Sequence, residues 1–163
     1  MISKQAQNQT PSLILKQITI IHLALVAGQI LFGIVVFAIG KQQPLNPKND
    51  ALIYVMPAIA LGCFLVSMLL PKNMIGNIKN DQPLLAKLKL YQTAFIIRMA
   101  LLEGPSLFGI VCFLLTNNVV FISISAALVL YAIYQRPTRQ KIEDDLNLGY
   151  EEKAEFEGTD KAY

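Results

Sequence analysis

Four long apolar stretches, at 18–40, 51–70, 90–116 and 119–135, set the terms on which this chain can fold. A helix needs about 20 residues at about 1.5 Å each to cross a hydrocarbon layer of roughly 30 Å, and all four reach that length, the fourth only near its lower limit. A soluble amphipathic helix would show a charged face, yet 51–70 carries no charge at all. Backbone groups in hydrocarbon must bond to one another, which leaves helices or a closed barrel, and these runs lack the alternating polarity of barrel strands. The sequence therefore predicts an all-α membrane protein with four transmembrane helices. Composition agrees, because 54% of the residues are hydrophobic and only 15% are charged, too apolar a balance for a soluble domain of this size.

Orientation is predicted from Lys and Arg, which cytoplasmic loops retain. The segments 1–16, 71–89 and 136–141 hold Lys4, Lys16, Lys72, Lys79, Lys87, Lys89, Arg136, Arg139 and Lys141, whereas the opposite loops hold only Lys41 and Lys48. This predicts a bacterial inner (cytoplasmic) membrane protein with both termini in the cytoplasm. The domain plan is a cytoplasmic N-terminus at 1–16, a four-helix transmembrane domain at 17–136 and an acidic cytoplasmic tail at 137–163. The first span follows a polar segment and has no small-residue cleavage site, so it is expected to be retained as an anchor. From 142 onward eight acidic residues face only Lys153 and Lys161, a balance expected of a disordered, solvated tail.

Residues 22–37 match residues 98–113 at a constant offset of 76, sharing among others Gly28/Gly104, Phe32/Phe108, Gly33/Gly109, Ile34/Ile110 and Phe37/Phe113. The first and third spans would then be copies pointing the same way, as in two repeated helical hairpins related by an axis along the membrane normal. Missing side chains let helix backbones approach, so Gly28, Gly33, Gly104 and Gly109 are expected at packing contacts. His22 and Arg98 occupy matching positions at the headgroup end of their helices, where both are expected to act as interfacial anchors.

Of eleven acidic residues only Glu103 lies inside a predicted span. An ionised carboxylate in hydrocarbon is costly, so Glu103 must hold a proton or cation, or find a polar partner such as Arg98, His22 or Gln29. Five residues separate Arg98 from Glu103, which places their side chains about 140° apart on an ideal helix, so a direct pair would need a bend. Pro105 offers one and frees the carbonyl of Leu101, while Ser106 adds a hydroxyl on the face of Glu103. Carboxyl, carbonyl and hydroxyl would together make a small proton or cation site, or else a polar packing cluster.

Gln82-Pro83, followed by the helix from Gln92 to Phe113 with its core Ala100-Leu101-Leu102-Glu103-Gly104, resembles the polar loop and ion-binding helix of bacterial F-type ATP synthase subunit c. The resemblance covers about a fifth of the chain. It implies that Glu103 is the carboxyl that binds a transported proton or monovalent cation, on a helix running outward from a cytoplasmic Gln-Pro loop. It does not extend to a rotor subunit as a whole, because the preceding span carries only Ala58, Ala60 and Gly62 as alternating small residues in place of a glycine ladder.

These readings converge on a four-helix, proteolipid-like membrane protein that binds an ion at Glu103 within a homo-oligomer or a larger membrane complex. The alternative is a non-catalytic structural or assembly protein in which Glu103 and Arg98 only fix packing and topology. No nucleophile with a base, phosphate-binding glycine loop or metal-ligand spacing is present, so neither enzyme activity nor a cofactor is expected. Cys63 and Cys112 fall inside spans, where a structural disulfide is not expected, and the basic loops fit anionic headgroups better than nucleic acid.

Overall fold

A computed structural model describes residues 10–40, 51–78 and 82–160, with side chains as far as residue 158. Lys4, Lys41, Lys48, Lys79 and the last three residues lie outside the described residues, and with them part of the charge-based topology. The described residues form six helices and no strand: α1 (Pro11–Ile39), α2 (Leu52–Gly76), α3 (Leu84–Thr116), α4 (Val119–Tyr134), α5 (Arg139–Asp145) and α6 (Tyr150–Asp160).

Three of these, α1, α2 and α3, are long and apolar enough to cross a membrane. α4 has 16 residues, about 24 Å, and joins this class only as a broken span with α5, from which it is bent by 85°. The fold is thus all-helical with three or four candidate spans. Its exposed surface includes Leu31, Ile34, Val35, Leu61, Leu65, Leu69, Leu115 and Leu130, an apolar coat compatible with lipid.

α3 sits at the centre and packs against α1, α2 and α4. Stacking of Phe37 on Phe113 and the approach of the His22 and Phe95 rings set α1 parallel to α3. α3 ends where Asn117 turns to a left-handed φ of 55°, a conformation Asn tolerates, and its N–H bonds to the Phe113 carbonyl at 2.7 Å. Asn118 then caps α4, its side-chain oxygen accepting from the Val120 N–H at 3.1 Å. This two-residue turn folds α4 back along α3.

A tight approach in the bundle is at Gly109. A methyl group there would overlap the Ser125 hydroxyl and the Met56 methyl, and would lie 3.1 Å from the Phe121 carbonyl oxygen. α2, α3 and α4 therefore meet on a bare patch of backbone. Gly33 makes an ordinary contact, 3.6 Å to Ile110, and a methyl on Gly28 or Gly104 would meet nothing within 4 Å. The expectation that all four glycines pack is corrected: Gly28 and Gly104 face outward.

The expected hairpin repeat is corrected in the same way. α1 and α3 are parallel, but α1 packs chiefly on α3 and α4, with no substantial contact to α2, whereas α3 lies closely against α4. Sequence likeness along one face leaves the remaining neighbours free to differ.

α1, α2 and α3 each continue past the expected apolar boundary at their Lys-rich end, starting at 11 in place of 18, ending at 76 in place of 70, and starting at 84 in place of 90. The hydropathy falls there, but the helical stripe persists: Ile14 and Ile18 on α1, and Leu84, Lys87, Leu88, Tyr91 and Phe95 on α3, are buried. Two short helices cover this stripe. The expectation of a disordered tail is corrected, because α5 and α6 bury Ile142, Leu146, Leu148 and Phe156, and α6 rests on α1. Eight acidic residues hide that apolar set in the composition, and four buried side chains suffice to hold a short segment against existing helices.

Gly109→Ala is expected to destabilise the bundle by about 1–3 kcal/mol, as overpacking of a tight contact does, and to lower its unfolding temperature in detergent. Gly28→Ala and Gly104→Ala should leave that temperature unchanged or slightly raised. Equal losses at all three positions would contradict the packing described.

Candidate functional site

The polar residues singled out in the sequence divide into two places. Towards the turn end of the bundle, Ser106 is fully buried and its hydroxyl donates to the Ser125 carbonyl at 3.5 Å, while the Ser125 hydroxyl donates to the Phe121 carbonyl at 3.0 Å. These bonds lie in the α3–α4 seam beside Gly109, and they take Ser106 away from Glu103. Gln29 is also buried, and its amide donates to the Leu25 carbonyl at 3.3 Å, one turn back on α1. Gln29 and Ser125 are polar points in a groove of about 520 Å³ between α1 and α4, otherwise walled by residues such as Ile34, Phe37, Ile110 and Val129.

Glu103 stands apart from all of these. Its side chain is half-buried at the edge of the packed face of α3, and among the described residues it makes no hydrogen bond or ion pair. Pro105 is buried within a helix that runs unbroken from Leu84 to Thr116, so the 140° offset between Glu103 and Arg98 persists. The structure does not bring Glu103, Ser106 and Arg98 together.

The second place is the Lys-rich end. Lys87 is only 3% exposed, and its ammonium donates to the Glu152 carboxylate at 2.7 Å, tying α3 to α6. The other oxygen of Glu152 accepts from the Gly149 N–H at 3.0 Å, which caps the start of α6. Tyr91 donates to Asp145 at 3.3 Å and ties α3 to α5. Arg139 joins the two short helices: it pairs with Glu143 at 2.6 Å, donates to the Lys153 carbonyl at 3.2 Å and lies over the Phe156 ring at 5.3 Å. Lys141 donates to Gln135 at 2.6 Å and fastens α5 to the end of α4.

His22 and Arg98 border this region without joining its bonds. The His22 ring is buried 5.9 Å from Phe95, with Nδ1 unbonded, and Arg98 keeps a buried, unbonded Nε. The Arg98 side chain lines a pocket with Met68, Lys72, Ile75, Gly76, Asp144 and Asp145. Sequence reasoning reached Arg98 and His22 but missed Lys87, Tyr91, Asp145 and Glu152. The available signal was the spacing of 84, 87, 88, 91 and 95, a helical stripe that needs a cover.

Electrostatics follow this geometry. The hydrogen bond from Lys87 holds the Glu152 carboxyl below the usual carboxylate range, partly opposed by burial and aided by the Gly149 N–H. Burial, then the nearby Arg98 guanidinium, push the Lys141 ammonium below the ordinary lysine value, with Asp145 opposing them.

A carboxyl whose folded value is depressed stabilises the fold above its unfolded value, here 4.5, and that contribution vanishes as pH falls through the depressed value. Acidification from neutral to below about 4.5 should therefore lower the amide-exchange protection factors across 139–160 while those around Gly109 are kept. Glu152→Gln should show fast exchange in the cap already at pH 7, since it leaves Lys87 buried without its counter-charge. Unchanged exchange in that variant would refute the tie. Comparison with family profiles, curated proteins and solved structures finds no match to this chain.

Proposed function

We propose that this chain is a non-catalytic, multi-pass protein of the bacterial inner membrane that carries a proton-binding carboxyl, Glu103, for a partner in the bilayer. Positive charge at one end of the helices supports a cytoplasmic position for that end and for both termini. The partner is a second copy of the chain or another subunit of a membrane complex, in keeping with the local resemblance to the proteolipid subunit of ATP synthases.

One observation carries this reading. Glu103 is the acidic residue placed within the apolar part of α3, and it is neither paired nor hydrogen-bonded among the described residues. A carboxyl with no partner in hydrocarbon is neutral when it holds a proton, and its half-buried place on the flank of α3 leaves it reachable from the side. The surroundings favour a proton over a metal cation, since the Ser106 hydroxyl is directed to α4 and supplies no ligand beside the carboxyl.

The alternative, a structural or assembly protein, draws on the cap at the Lys-rich end, where Lys87, Tyr91 and Arg139 bond α3, α5 and α6 into one body. That observation accounts for the ends of α3, α5 and α6 and leaves Glu103 without a role.

An apolar carbodiimide, which modifies protonated carboxyls reached from lipid, is expected to add one label per chain at neutral pH, mapped to Glu103 by fragmentation. Glu103→Gln should abolish the label while leaving insertion, abundance and unfolding temperature unaltered. A wild-type chain that stays unlabelled, or a variant lost from the membrane, would turn the assignment to the structural alternative.

A further inference from the structure

The pocket between the end of α2, the middle of α3 and α5 has a composition that neither reading above uses. Its volume is about 440 Å³, and its polar lining is two cations, Lys72 and Arg98, and two acids, Asp144 and Asp145, beside the apolar Met68 and Ile75. Among the described residues the side chains of Lys72, Arg98 and Asp144 make no hydrogen bond or ion pair, and the buried Nε of Arg98 is unbonded. Asp145 accepts from Tyr91 through one oxygen only.

Depth in the bilayer defines what can reach this pocket. Lys72 lies twenty residues, about 30 Å, from the start of α2, and Arg98 lies eighteen residues, about 27 Å, from the end of α3. Both distances match the hydrocarbon thickness of roughly 30 Å, so the two cations sit where headgroups begin. The pocket is lined by apolar Met68 and Ile75 of α2 and by the acids Asp144 and Asp145 of α5.

We propose that this pocket binds the headgroup of one zwitterionic phospholipid bearing a primary ammonium, a phosphoethanolamine headgroup. Lys72 and Arg98 receive the phosphate, whose oxygens accept charge-assisted hydrogen bonds, including one from the unbonded Nε of Arg98. Asp144 and the free oxygen of Asp145 receive the ammonium, which donates to them. Met68 and Ile75 lie against the start of the acyl chains. A site of two cations and two acids is matched by a ligand with both charges; a singly anionic headgroup leaves the acids opposing it, and a quaternary ammonium cannot donate to them.

The test uses the full chain in a mild detergent, titrated with phosphatidylethanolamine, phosphatidylglycerol or phosphatidylcholine of the same acyl length, with bound lipid read by native mass spectrometry. Phosphatidylethanolamine is expected to be held at one per chain, about tenfold more tightly than either other lipid, the value of one charge-assisted hydrogen bond. Lys72→Gln and Asp144→Asn alter exposed side chains, so both should fold with unchanged helix content and each weaken that binding by about tenfold. Equal retention of phosphatidylglycerol or phosphatidylcholine, or wild-type binding by both variants, would overturn the proposal. Glycerophosphoethanolamine and inorganic phosphate serve as soluble probes: binding of either as tightly as the lipid would overturn the lipid as the source.

Discussion

The contact that the rest of this structure depends on is the meeting of three helices at Gly109. Because α3 has no side chain there, the Ser125 hydroxyl, the Met56 methyl and the Phe121 carbonyl all come within reach of its backbone. Helices in lipid gain little from hydrophobic burial against one another, so close backbone approach and the bonds it permits decide which faces pair. Ser106 and Ser125 lie in this seam, and their hydroxyls are satisfied by backbone carbonyls of α4. That seam makes α3 the central helix and fixes which of its residues point inward.

What α3 leaves outside the seam follows from the same phasing. Glu103 falls at the edge of the packed face, and an apolar groove lies beside Gln29 between α1 and α4. At the Lys-rich end the same helix emerges with a stripe of buried residues, and α5 and α6 close over it through Lys87, Tyr91 and Phe156. One long helix thus serves two media. Apolar packing holds its candidate membrane span, and ion pairs with a small core hold its Lys-rich end.

The helices of the bundle were legible because apolar runs of this length have few other stable forms, and the asparagine turn marks one boundary to the residue. Their Lys-rich ends were not, since a hydropathy window stops at Lys16, Lys72 and Lys89 although the helices continue past them. The cap was hidden because acidic residues outnumber Ile142, Leu146, Leu148 and Phe156, and composition averages over what four well-placed side chains do. Gly28, Gly104 and Gly109 look alike in sequence, yet only the third faces a neighbour, a fact set by helix phase and tertiary arrangement. Ser106 was grouped with Glu103 by its spacing on one helix, and a carbonyl on another helix took its hydroxyl. The solitary place of Glu103 among the apolar residues of α3 was legible, since it is a matter of sequence alone.

An infrared difference spectrum in lipid, wild type minus Glu103→Gln, tests most directly the proposal that Glu103 holds a proton. The account predicts a protonated carboxylic carbonyl band of high frequency, characteristic of a weakly hydrogen-bonded group, present in the wild type and absent from the variant. Carboxylate stretching bands lost in the variant, with no carbonyl band, would show an ionised and partnered Glu103 and would contradict it.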